Sequence, residues 1–420
     1  MKIGIQTWGS NGDIRPLLAL AQGLQKAGHH VTLAVSSIDN QDYTAICAEL
    51  NIRFIRSPAH IDFDLQDFAR RSFRMNTLQW LKALLEEAFF PYEQCLYETA
   101  KQLVQDNDCV IGHHFLYPLK LAAALKGKPH FTVTFCHATI ASTTQAPFRF
   151  PNLSAFFNKL SWKLLDSVFN WVLMKPLTRL WLREGGAPVE SVLADLITSQ
   201  QLNLVAVDQL FCPFHEEWSR NNRVCGFLNL TEDAQHWPIP DAVQHFLDEG
   251  AAPVYMTFGS LQQAVPEWSM DLFIEAARLS GCRAIIQTSS ARYPADSRLD
   301  NLYFIGKHPH QPLFSHCAAV VHHGGAGTTH AATLSGCPSI VVPFMDEQLF
   351  WGYQLQALGL AYRPLPAQKV KSARLAKAIE KVLRSKTLHA NALDCSEAMQ
   401  KQDGVVTAVS LIEEQLSRLR

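Results

Sequence analysis

The run His322-His323-Gly324-Gly325-Ala326-Gly327-Thr328 concentrates residue types that handle phosphate. It follows a short apolar run, Ala318–Val321, and precedes a helical pattern from Thr329 to about Ser335. Glycines at a strand-to-helix turn let the backbone approach a ligand closely. The start of a helix presents unpaired N–H groups and the positive end of its dipole, which suits a diphosphate. In such a cradle His322 donates a hydrogen bond to a phosphate oxygen and Thr328 adds a hydroxyl. One glycine-rich turn is read equally well as a tight turn capped by histidines. Other pieces of the same half shift the balance. Thr257-Phe258-Gly259-Ser260 closes a strand, and Ser260 is placed to reach the same phosphates. Pro309 and His310 lie in the loop after another strand, and Glu347 and Gln348 follow the strand after the cradle. All sit at carboxyl ends of expected strands, where one pocket can collect them.

The elements that must position these residues emerge from periodicity. Ile3–Trp8, Val31–Val35, Ile52–Ile55, Cys109–Ile111 and His130–Phe135 read as strands. They are separated by helical patterns at Ile14–Ala27 and, as one long helix, Leu78–Val104. The alternation lapses between Ala141 and Pro188 and returns at Leu202–Val207. It restarts at Pro253–Phe258, Arg283–Gln287, Leu302–Ile305, Ala318–Val321 and Ser339–Val342. Strands alternating with helices imply parallel sheets covered on both faces. The expected fold class is α/β, with two doubly wound domains whose facing cleft binds the ligands. The expected division is residues 1–230, a linker at 231–250 around Pro238-Ile-Pro240, a second domain at 251–395, and a C-terminal helix at 396–420 returning to the first domain.

Bulk composition narrows the function classes. A chain of 420 residues exceeds one ordinary core. With 48% hydrophobic and 18% charged residues it is globular rather than disordered. The net charge of −1 and the lack of any dense Lys/Arg run argue against nucleic acid as a partner. The ten cysteines stand singly and read as reduced thiols. Met1 leads straight into a strand, without room for a signal peptide, and no apolar run reaches bilayer length. A cytoplasmic protein is expected, with peripheral contact at the inner membrane face as an added prospect. Asp62-Phe63-Asp64 has the form of a metal-binding Asp-x-Asp but falls in an irregular segment and reads as solvated surface. A dinucleotide-dependent oxidoreductase needs a G-x-G-x-x-G turn after the first strand, and Gly9-Ser10-Asn11-Gly12-Asp13 does not supply one.

Taken together, Gly9–Asp13, Phe258-Gly259-Ser260, the 322–328 run, Pro343…Glu347-Gln348…Phe350-Trp351 and Val224-Cys225-Gly226-Phe227 resemble the family 1 glycosyltransferases. The likeness is greatest to bacterial sterol- and antibiotic-type members, and it runs in order along nearly the whole chain. It implies the GT-B fold, an inverting reaction and no metal or resident cofactor, with a nucleotide-sugar donor as co-substrate. By match to the motif, His322 meets the diphosphate, and Gly325, Ala326, Gly327 and Thr328 add backbone and hydroxyl donors beside Ser10 and Ser260. The main chain at His308 and Pro309 holds the base, and Glu347 and Gln348 bind the sugar. Two positions depart from the common pattern. Glu347 replaces the usual Asp of the sugar-binding pair, and His330 stands where plant members carry a ribose-binding Glu. Sugar and base identity therefore stay open: a UDP-hexose, most simply glucose, or a dTDP-deoxysugar. A homologue that binds the donor without catalysis is the remaining alternative.

Transfer needs the acceptor hydroxyl deprotonated as it attacks. The resemblance gives this role to Asp13, which is otherwise an ordinary helix N-cap. It also allows the reverse, with His113 as base and Asp13 orienting it, since an imidazole titrates near neutrality. His114, Phe148, Phe150 and Phe157 are the expected acceptor contacts. Residues 148–183 hold eight Phe and Trp and six Lys/Arg (149, 159, 163, 175, 179, 183) against one acid, Asp166. Phe156, Leu160, Leu164 and Val168 recur at helical spacing. The segment reads either as the aromatic wall of a lipophilic acceptor pocket (a sterol, carotenoid or polyketide) or as a membrane-surface helix.

Overall fold

The computed structural model describes residues 1–419 apart from 73, 74, 76, 149, 213–216, 231–237, 308 and 310. The chain forms two compact units. The first comprises Met1–Phe63, Leu78–Leu230 and Asp403–Arg420, the second Asp64–Thr77 and Thr231–Gln402.

The first unit is built on a seven-stranded sheet. Its strands are β1 (Lys2–Gly9), β2 (His30–Ser37), β3 (Arg53–Arg56), β4 (Cys109–His113), β5 (His130–Thr134), β6 (Leu202–Val205) and β7 (Asn222–Val224). They lie in the order β3-β2-β1-β4-β5-β6-β7, all parallel. Parallel strands buried on both faces read as unbroken apolar runs, and β1, β4 and β5 are buried over almost their full length. Helix α1 (Asn11–Lys26) lays Ile14, Leu17, Leu18, Ala21 and Leu24 on the sheet. Helices α2 (Thr44–Glu49), α4 (Thr77–Leu84), α5 (Glu93–Asp106), α6 (Tyr117–Lys126) and α7 (Ala155–Arg183) follow in chain order, while α3 (Leu65–Ser72), between α2 and α4, belongs to the second unit.

One expectation from periodicity changes, and one is met. The long helix at Leu78–Val104 is broken between α4 and α5 by a π turn, Leu85–Phe89, and a 3₁₀ turn, Phe90–Tyr92. Pro91 explains the break: it lacks an N–H and its ring crowds the preceding turn. The stretch where strand alternation lapses is occupied mainly by α7, a continuous helix of 29 residues.

In the second unit, strands β8 (Val254–Met256), β9 (Ala284–Gln287), β10 (Ser297–Leu299), β11 (Leu302–Ile305), β12 (Ala319–His322), β13 (Ser339–Val341) and β14 (Ala361–Tyr362) form another seven-stranded sheet. The order is β10-β11-β9-β8-β12-β13-β14, and only β10 runs antiparallel. Helices α8 (Asp241–Asp248), α9 (Pro266–Ser280), α10 (Gln311–Phe314), α11 (Ala326–Leu334), α12 (Asp346–Ala357), α13 (Ser372–Arg384) and α14 (Lys386–Gln400) cover it. Two apolar layers result. One centres on Phe258, Phe273, Ile286, Val321 and Ile379, the other on Phe246, Tyr255, Tyr303 and Phe314. Helix α3, early in the chain, packs against the 3₁₀ turn Gly259–Ala264 of this unit.

The last helix, α15 (Gly404–Arg418), belongs to the first unit and packs on α1. Asp403 caps it by accepting hydrogen bonds from the N–H groups of Val405 and Val406. The contact needs Gly23, because a Cβ there would lie 2.2 Å from Val405 Cγ1.

Candidate functional site

Each sheet has one point where strand order reverses, and doubly wound sheets bind ligands there, beyond the carboxyl ends of the strands. In the first sheet the point falls between β1 and β4. Asp13 sits in the first turn of α1, directly after β1, and His113 is the last residue of β4. Topology thus brings together two residues a hundred positions apart: His113 Nε2 lies 3.6 Å from Asp13 Oδ1.

The hydrogen bonds around the pair assign its protons. His113 Nδ1 accepts from the N–H of Phe115 at 3.2 Å. A neutral imidazole that accepts at Nδ1 carries its hydrogen on Nε2, the atom turned to Asp13. Asp13 Oδ2 accepts from the Ser10 N–H at 2.8 Å and the Ser10 hydroxyl at 3.2 Å, which leaves Oδ1 toward His113. Ser10 is therefore spent on holding the carboxylate. Gly9 makes the arrangement sterically feasible: its φ is +132°, and a Cβ there would lie 2.4 Å from Asp13 Oδ2. His113 is 5% exposed and Asp13 36%, so solvent-borne groups reach the carboxylate first.

His114 is buried, with its ring 4.4 Å from that of His113, and burial, aided by His113, pushes its pKa well below the usual imidazole value. It backs His113 as a neutral ring. Phe115 and Phe135 complete the surround, at 6.2 and 5.3 Å from the His113 ring. Sequence reading missed both; their positions just past β4 and β5 were the available signal. Phe148 and Phe150 are half-buried in the segment before α7, and Phe157 is exposed on α7.

In the second sheet the reversal falls between β8 and β12. Ser260, exposed in the turn after β8, and His322, buried at the end of β12, flank it. His322 Nδ1 accepts from the Gly324 N–H at 3.1 Å, so this imidazole too keeps its hydrogen on Nε2, as a donor. Gly325 is the N-cap of α11, and the N–H groups of Ala326, Gly327 and Thr328 lie in its first turn, where no intrahelical acceptor exists. The surroundings are tight. Gly324 has φ +89°, and a Cβ on it would lie 2.7 Å from the Gln348 carbonyl oxygen. Cβ atoms on Gly259 and Gly325 would lie 3.1 Å from His323 Cε1 and 2.5 Å from His323 Nε2. The His323 ring thus holds the β8 turn beside the cradle.

Glu347 is exposed on the first turn of α12, where its charge also suits the helix dipole. Gln348 is buried, and its Oε1 accepts from the Phe344 N–H at 2.8 Å, bracing the loop after β13. His330 is fully buried. Its Nδ1 bonds the Ala326 carbonyl at 2.8 Å, and its ring meets Trp351 edge-on at 5.4 Å. Burial lowers its pKa to about 4. The ring is a neutral packing element. Pro309 is half-buried in the loop after β11, and His308 lies outside the described residues.

Residues 276–411 match the family model described as Erythromycin biosynthesis protein CIII-like, C-terminal domain. A sterol 3-beta-glucosyltransferase of Arabidopsis thaliana is 25% identical over 435 residues, covering 99% of this chain and 68% of that protein. One of Kluyveromyces lactis is 27% identical over 445 residues, covering 100% of this chain but 35% of its own length. The solved glycotransferase of kitacinnamycin superposes with a TM-score of 0.73 at 17% identity, over 99% of both chains. The glycosyltransferase VinC, in complex with dTDP, superposes at 0.68 and 17% identity over both full chains.

These similarities are to family 1 glycosyltransferases, over the C-terminal part in the family model and over nearly the whole chain in the relatives. The fold is GT-B. The first unit holds the Asp13–His113 pair and the second the glycine-rich turn, each at the reversal point of its own sheet.

Proposed function

We propose that this glycosyltransferase moves a hexose, glucose in the simplest case, from a UDP-sugar to a hydroxyl of a lipophilic small molecule such as a sterol, with inversion at the anomeric carbon. The observation that carries the chemistry is the proton arrangement at Asp13 and His113. Because His113 Nδ1 accepts from a backbone N–H and Nε2 holds its hydrogen, the imidazole has no lone pair facing Asp13. Asp13 Oδ1 is therefore the base, and His113 is its positioning partner, with Nε2 3.6 Å from the carboxylate. The acceptor O–H gives its proton to Asp13. The oxygen forms the new bond to the anomeric carbon as the bond to the diphosphate breaks. The leaving diphosphate gathers negative charge, which the N–H groups of Ala326, Gly327 and Thr328 and the His322 Nε2–H stabilise from fixed positions. Ser260 and the main chain by His308 and Pro309 complete the nucleotide site, and Glu347 and Gln348 read the sugar.

The lipophilic acceptor is supported by the sterol glucosyltransferases among the relatives. The chain spans about a third of several of these proteins. A dTDP-deoxysugar donor is the second reading, favoured by the dTDP in the VinC structure and by the absence of a ribose carboxylate at His330. A thermal-shift comparison of UDP, dTDP and their sugars separates the two. A ligand at about 100 times its Kd adds roughly 2.7 kcal/mol of stability. Stabilisation by UDP over dTDP is expected, the reverse order moves the assignment to dTDP, and no shift from either removes the cradle assignment.

A further inference from the structure

Helix α7 carries an apolar face that the described residues leave exposed. Phe156, Leu160, Leu164 and Trp171 are 72%, 53%, 53% and 87% exposed. At 3.6 residues per turn these positions fall within an arc of about 80°, in a stripe roughly 22 Å long. Phe157 widens the arc, and Leu153, just before the helix, extends the stripe. Trp162, Leu173, Leu177 and Leu180 point the other way and are buried. The helix thus packs one apolar face and leaves a second in water. Single exposed apolar residues are ordinary, but contiguous large ones mark a contact surface.

The charges beside the stripe identify the contact. Lys159, Lys163, Lys175 and Arg179 are all exposed, and among the described residues the three lysines enter no ion pair; Arg183, farther round the helix, is paired with Glu184. The only acid in the helix, Asp166, is turned aside, its carboxylate accepting from the Ser191 hydroxyl at 2.7 Å. We infer that α7 lies in the plane of an anionic lipid surface, with Phe156, Leu160, Leu164 and Trp171 entering the headgroup boundary and the flanking cations meeting lipid phosphates. A second copy of the chain is a poorer occupant, because a two-fold pairing through this face would set its cations against their own images. Among the described residues no helix is long and apolar enough to cross a bilayer, so the contact is interfacial.

The test is co-sedimentation of the full chain with vesicles of phosphatidylcholine, alone or mixed with phosphatidylglycerol, with tryptophan emission followed in parallel. Expected are binding to the mixed vesicles that weakens with salt, and a blue shift that Trp171→Phe removes. F156S/L160S/W171S and K159E/K163E/K175E should each bind at least roughly tenfold more weakly. Their melting curves show whether they fold, and the charge variant stands as the test if the apolar one does not. Failure of the wild type to bind mixed vesicles at low salt overturns the inference, as does equal binding by both variants. So does a dimer in solution that F156S/L160S/W171S converts to monomer. None of these outcomes bears on donor binding, which is tested separately.

Discussion

Asp13 and His113 meet at the reversal point of the first sheet, with Nε2 of the imidazole 3.6 Å from Oδ1 of the carboxylate and the other atoms of both groups already committed. That division of labour makes the two residues unequal. Asp13→Asn keeps the shape and the Ser10 contacts but removes the basic oxygen. It should lower kcat by about 10²–10⁴ with a smaller change in KM. His113→Gln should cost less, because the carboxylate survives. Steady-state kinetics of the two variants checks the ranking, and the opposite order would make His113 the base.

The proposed mechanism has His322 act on the leaving group. His322→Ala should lower kcat by roughly 10²–10³, the scale for losing one fixed donor to a developing oxyanion. Product-state affinity should fall too, read by titration with the nucleoside diphosphate. A variant with normal kcat would place the charge stabilisation wholly on the backbone of α11.

Gly9 and Gly324 each hold a left-handed φ against a neighbour that a Cβ would strike. Gly9→Ala should disturb Asp13, and Gly324→Ala should push the cradle off the Gln348 carbonyl. Each should destabilise its unit by about 1–3 kcal/mol. The readouts separate: Gly324→Ala should weaken diphosphate binding, whereas Gly9→Ala should leave it near normal and lower turnover.

Buried histidines set the acid limb of stability. Burial lowers His330 to about 4, and burial aided by Lys120 lowers His130 to about 3, both from an ordinary value near 6.5. Below pH 6.5 the unfolded chain takes protons that the folded chain refuses. Stability is therefore full above that pH and falls as pH drops toward 4, by about 1.4 kcal/mol per pH unit for each histidine. Denaturant melts between pH 7 and 4.5 measure the slope. His330→Gln should reduce it by about one proton's worth.

Strands and motifs were legible in the sequence to different depths. Alternating apolar runs are enough to mark parallel strands, since burial on both faces removes polar positions from them. The cradle announces itself because its glycines and histidines are contiguous. The link from Asp13 to His113 is not local, and periodicity carries nothing about it; the family resemblance suggested the pair, and β4 beside β1 supplies its physical cause. Phe115 and Phe135 become neighbours of His113 for the same reason. Pro91 was readable as a helix breaker and was overlooked in a long apolar pattern. The spacing of Phe156, Leu160 and Leu164 defines a face, but spacing cannot say which face of α7 meets solvent, and exposure supplied that. His330 shows the limit of motif matching: the position aligns with a ligand residue, while its ring is spent on Ala326 and Trp351.

The most direct measurement is turnover of UDP-glucose with a sterol by the wild-type chain and by Asp13→Asn, with product configuration read by NMR. The expected result is a β-glucoside from the wild type and at least a roughly 100-fold loss in the variant. Undiminished turnover by Asp13→Asn, or an α-linked product, would contradict the assignment of Asp13 as the base of an inverting transfer.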